Sequence, residues 1–97
     1  MTREAAMGEM KASIIRYLFP NLSKGQMKRL RVLTDEKGIT WLDCKLGENL
    51  KGVLASIIRH EETHYDDVIR MVGKERARFY VNGTVSQKVR HAAGREN

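Results

Sequence analysis

A chain of 97 residues holds one hydrophobic core but not separate catalytic and substrate lobes. Hydrophobic residues at 41% and charged residues at 31% fall in the ordinary globular range, and the single cysteine, Cys44, excludes an intramolecular disulfide framework. The formal charge of +6 is concentrated late in the chain: from Val68 onward, Arg70, Lys74, Arg76, Arg78, Lys88, Arg90 and Arg95 face only Glu75 and Glu96, a footprint suited to an anionic partner.

The first element is a helix from about Glu4 to Phe19, with Met7, Met10, Ile14, Tyr17 and Leu18 on one stripe at three- and four-residue steps. Pro20 ends it and pushes Phe19 out of the helical region, so Phe19 to Leu22 forms an apolar corner. Ser23 and Gln26 make a capping box that opens a second helix with Met27, Leu30 and Leu33 inward and Lys24, Lys28 and Arg31 on another face. Gly38 closes it as a left-handed cap.

Ile39 to Leu42 is too short to build a sheet and reads as a linker that plugs Trp41 into the core. From about Asp43 or Leu46 a long third helix runs to Gly73, with Leu46, Leu50, Val53, Leu54, Ile57, Val68, Met71 and Val72 in one arc at about 100° per residue. Lys74 to Val81 follows as a short helix with Ala77, Phe79, Tyr80 and Val81, Asn82-Gly83 as a turn, and Thr84 with Gln87 as a second capping box opening a last helix to about Ala93. Residues 94–97 read as a frayed tail. The expected fold is all-α: one domain over residues 1–97, four to five helices packed around the long third one. Met7, Met10, Met27, Met71 and Met1 read as gap-fillers and Cys44 as a small packing residue.

His60-Glu61-Glu62-Thr63-His64 has the H-E-x-x-H pattern, which on a helix sets two imidazoles one turn apart to hold zinc, with the glutamate as general base. His60 and His64 would be the ligands and Glu61 the base of a zinc-dependent hydrolase. The setting argues against it. On a continuous helix Asp66 points away from His64 and Asp67 only grazes its side, so the third ligand falls to Glu75 beyond a turn. No strand is evident to hold an extended substrate, and charged Glu62 and Asp66 stand where zinc hydrolases keep uncharged residues. The reading preferred here needs no metal and no cofactor: Glu61 and His64 interrupt the apolar arc as buried polar groups hydrogen-bonded across the core.

The stretch Arg59-His60-Glu61-Glu62-Thr63-His64-Tyr65-Asp66 resembles the R-H-x-x-T-x-Y-D signature of a family of small helical domains of unknown function. Leu18-Phe19-Pro20 and Ala77-Arg78 resemble that family's L-F-P and A-R positions, so the likeness spans about Leu18 to Val89. The resemblance implies a helical fold and no activity. His60, Thr63, Tyr65 and Asp66 match its pattern, which leaves the position of His64 free and so weakens the zinc reading; by helical counting Thr63, Tyr65 and Asp66 lie off the apolar arc and His60 at its border, as a polar cluster. The resemblance also implies one continuous helix where this chain has Asn82-Gly83. On helical spacing, Asp66 is expected to pair with Arg70 one turn on.

No apolar run approaches the roughly 18 residues of a membrane span, and Met1 to Met10 carries Arg3, Glu4 and Glu9 in place of a signal-peptide core, so a cytoplasmic protein without membrane contact is expected. The leading functional expectation is a small non-enzymatic module that contacts nucleic-acid phosphates through Lys24, Lys28, Arg31, Arg76, Arg78, Lys88 and Arg90. The alternative partner is an acidic protein surface or a second copy, in an interaction or inhibitor module that uses the Met-rich first helix.

Overall fold

The computed structural model describes residues 2–94, so Met1 and residues 95–97 of the tail expected over 94–97 lie outside the described residues. Among them the chain is all-helical: α1 Arg3–Leu18, α2 Lys24–Glu36, α3 Leu46–Glu61, α4 Tyr65–Val72 and α5 Lys74–Ala92. No helix among them is long and apolar enough to cross a membrane. α3 packs against α2, α4 and α5, α5 packs also against α4, and α1 lies chiefly along α2.

Local chemistry sets the early boundaries, at Pro20, Ser23 and Gly38 as expected and at Thr2 in addition. Thr2 caps α1 by accepting from the Ala5 amide at 3.1 Å, and Phe19 leaves the helix at φ −134° before Pro20. The Ser23–Gln26 box closes in both directions: the Gln26 amide donates to Ser23 Oγ at 3.2 Å, and the Ser23 amide to Gln26 Oε1 at 3.1 Å. Gly38 sits at φ 70°, where a side chain is strained, and ends α2. Trp41 is buried and its indole N–H donates to Asp35 at 2.8 Å, whereas Leu42 and Cys44 are exposed, so Cys44 is not the packing residue its size suggested.

α1 differs from its reading by a rotation. The buried side chains are Ile15 and, beyond the helix end, Phe19, with Leu18 and Ile14 partly covered, while Met7, Met10 and Tyr17 are exposed. At about 100° per residue, Met7, Met10, Ile14 and Tyr17 do share one arc. The neighbouring face, through Gly8, Lys11, Ala12 and Ile15, is the one turned to α2. Of the methionines read as gap-fillers, Met1 lies outside the described residues, Met27 packs against the core, and Met7, Met10 and Met71 are exposed.

The expected long third helix is broken. α3 ends at Glu61, residues 62–64 turn, and α4 begins at Tyr65. Thr63 causes the break: its hydroxyl donates to the Arg59 carbonyl, closing the end of α3, and accepts from the Tyr65 amide at 3.2 Å, opening α4. The turn resets the phase of the apolar pattern. α4 turns Tyr65, Val68, Ile69 and Val72 inward and sends Met71 out.

Gly73 at φ 89° provides the turn into α5. The expected stop at Asn82-Gly83 is absent: α5 is continuous, and Thr84 lies inside it instead of capping a new helix. Ala77, Val81, Val85 and Val89 recur every four residues on its buried face, and this stripe packed on α3 and α4 outweighs the local turn preference. Phe79 and Tyr80, expected among the apolar contacts of a short fourth helix, are exposed at 82% and 67%.

Candidate functional site

The two histidines of the H-E-x-x-H segment do not share a helix. His60 is in the last turn of α3, and His64 lies in the turn before α4, so the one-turn spacing that aims two imidazoles at one ion is not formed. His60 Nδ1 lies 2.8 Å from Asp66 Oδ1, joining the end of α3 to the start of α4. Among the described residues no three histidine, cysteine or carboxylate side chains gather at metal-binding distance.

The expectation that Glu61 and His64 are buried within the core is overturned as well, since both are exposed. Glu61 instead accepts from Arg29 Nε at 3.1 Å, tying α3 to α2. Glu62 accepts from Gln26 Nε2 at 3.1 Å and lies 3.4 Å from Lys88 Nζ, tying the turn to α2 and α5. The acidic doublet thus holds three helices together at the surface.

His60, Thr63, Tyr65 and Asp66 do come together, and their joint effect falls on Arg59. Tyr65, placed outside the apolar arc by helical counting, is 1% exposed and is a core residue. The Arg59 guanidinium lies over its ring at 5.6 Å, and the His60 ring meets the same ring edge-on at 5.1 Å. With its carbonyl held by Thr63 and its side chain laid on Tyr65, Arg59 is oriented from both ends. Asp66 is engaged by His60 and not by Arg70, which lies 3.9 Å from Asp67.

Arg59 faces α5. A hollow of about 300 Å³ is lined by Arg59, Arg78, Phe79 and Asn82. It adjoins a groove of about 440 Å³ between α3 and α5, whose lining includes Lys51, Gly52, Ala55, Arg59, Asn82, Ser86 and Arg90, with Glu48 as its one acidic residue. Its lining also includes the buried Val85 and Val89, and the side chains at 52, 55 and 86 are small. Between Arg78 and Arg90 this face of α5 extends about 18 Å at 1.5 Å per residue. Among the described residues none of Lys51, Arg59, Arg78 and Arg90 is ion-paired.

The seven basic residues singled out by charge therefore divide. Arg90 lines the α3–α5 groove and Arg78 the hollow that adjoins it. Lys24, Lys28 and Arg31 line a separate hollow of about 230 Å³ with Ala12, Ile15 and Met27. Lys88 is tied to Glu62, and Arg76 is exposed but lines neither hollow. Lys51, Arg59 and Asn82 were not among the residues marked for binding in the sequence: Arg59 stood only in the resembled signature and Asn82 only in the expected turn. The readable signal for the first two is their spacing: 48, 51, 52, 55 and 59 share a face of α3 that is polar or small beside the apolar arc.

Comparison of this chain with protein-family models, with curated proteins and with solved structures gives no match.

Proposed function

We propose that this protein is a non-enzymatic binding module that takes the phosphodiester backbone of a nucleic acid into the α3–α5 groove. The observation that carries the reading is the convergence of Arg59 and Arg78 with Asn82 on one hollow, continued along the groove by Lys51 and Arg90. A guanidinium offers several N–H donors in a planar fork that matches phosphate oxygens, and an arginine pre-set by packing loses less freedom on binding. Arg59 is such an arginine, since Tyr65 and Thr63 already hold it. The resemblance noted above supports the same view: its arginine at position 59 and its A-R arginine at position 78 meet at this hollow, although 18 residues separate them in the chain.

Phosphate binding through several cations releases condensed counterions, so affinity must fall steeply with salt. Binding of a labelled oligonucleotide is expected to weaken strongly between about 50 and 200 mM salt. Arg78→Ala and Arg90→Ala, both at exposed positions, should each lower the slope of log affinity against log salt by about one. Lys88→Ala, whose cation is already paired with Glu62, should change that slope little. An affinity indifferent to ionic strength would rule out the phosphate reading.

A further inference from the structure

We infer that the nucleic acid taken by this groove is single-stranded, with Phe79 as the platform on which a base stacks. The inference rests on the phosphate reading of the groove and adds the class of ligand. Phe79 lines the same hollow as Arg59, Arg78 and Asn82. Its ring is 82% exposed. The ring contact within the chain is with Tyr80, edge-to-face with centroids 6.3 Å apart, and Tyr80 is itself 67% exposed. An exposed phenyl beside two guanidinium groups adds nothing to binding a bare polyanion. It is, however, what an unpaired base needs, because every base offers a π face and stacking tolerates any sequence.

A duplex cannot use this arrangement. Its base faces are covered by their neighbours, and only base edges and phosphates are presented outward. The cations here lie along a recess between two helices and not on a protruding helix that could enter a major groove. A flexible single strand can follow the recess with its phosphates on Lys51, Arg59, Arg78 and Arg90 while one base turns onto Phe79. Asn82, between the hollow and the groove, supplies an amide that can donate to a phosphate or to a base edge.

The test measures binding of the full chain to three probes: a short single-stranded DNA, the duplex of the same sequence, and inorganic polyphosphate, which carries the charge without bases. The single strand should bind tightest. Phe79→Ala should weaken it by about tenfold and leave polyphosphate unchanged, and Phe79→Trp should restore it. Because position 79 is exposed, neither variant threatens the fold. Unchanged single-strand affinity in Phe79→Ala, no rescue by tryptophan, or a duplex bound more tightly than the strand would overturn the stacking role. Salt-dependent binding of polyphosphate in those cases would leave the phosphate reading standing. If none of the three probes binds, both fail together.

Discussion

Asp35 shows how much one exposed carboxylate does here. It accepts from Trp41 Nε1 at 2.8 Å and from Lys11 Nζ at 3.1 Å, and the Lys11 ammonium also lies 5.6 Å from the centre of the Trp41 ring. Partial burial pushes its pKa up. The hydrogen bonds from Trp41 and Lys11, with the charges of Lys11 and Arg31, outweigh that and hold the carboxyl below its ordinary range. A carboxyl whose folded value is depressed contributes stability that is complete above the unfolded value, about 3.9, and is lost as pH falls through the lower folded value. Acid unfolding followed by Trp41 fluorescence should therefore show a shallower loss of stability below about pH 4 in Asp35→Asn than in the parent chain. The difference should be small because the group is partly solvated, and superimposable acid limbs would contradict the assignment. The residue types at the α3–α4 corner were readable in the sequence as a cluster. Which of them is buried was not: counting along one unbroken helix put Tyr65 outside the core, and only the turn made by Thr63 brings it in.

At the scale of elements, starts and stops made by a few neighbouring atoms were legible. Pro20, the Ser23–Gln26 box and Gly38 act where local chemistry requires. Two other boundaries depended on competition between local preference and packing. The end of α3 is set by a threonine hydroxyl, a residue type too common to signal a break, whereas Asn82-Gly83 is a strong turn signal overridden by the valine stripe of α5. The face of α1 was ambiguous for another reason. Periodicity gives the width of an apolar arc, but the half-buried Gly8 and Lys11 show that its neighbour occupies the adjoining side. The continuity of α5 yields a direct expectation. Gly83 has no left-handed φ, and a Cβ there would meet nothing within 4 Å. Gly83→Ala should raise stability by about 0.5–1 kcal/mol, seen as a thermal midpoint a few degrees higher. A fall would mean that residues 82 and 83 form the turn their types suggest.

For the whole molecule, total charge was readable and its distribution over partners was not. Arg29 and Lys88 are matched to Glu61 and Glu62 across 32 and 26 residues, and such pairings emerge only when α2, α3 and α5 meet. Four of the cations without such a partner among the described residues, Lys51, Arg59, Arg78 and Arg90, line the groove and its adjoining hollow. The shape follows from the packing of α1: its exposed N-terminal half extends past the core, and the radius of gyration is 14.6 Å against about 13 Å for a compact chain of this size. One contact spans nearly the full chain. At the corner after α1, the Asn21 amide donates to the Ala92 carbonyl at 3.1 Å and Asn21 Nδ2 to the His91 carbonyl at 2.7 Å, in the last turn of α5, where His91 also accepts from the Gly94 amide at 3.0 Å. Asn21→Ala, which removes the Nδ2 bond and keeps the backbone one, should lower global stability by about 0.5–1.5 kcal/mol in denaturant titration, with an unchanged m-value; no loss would mean that the Gly94 amide alone satisfies the His91 carbonyl. The last turn of α5 is thus tied to a residue 70 positions earlier in the chain. Closing this clasp brings together residues far apart in the chain, so amides near residue 92 are expected to exchange with solvent through the same global opening as those of α2.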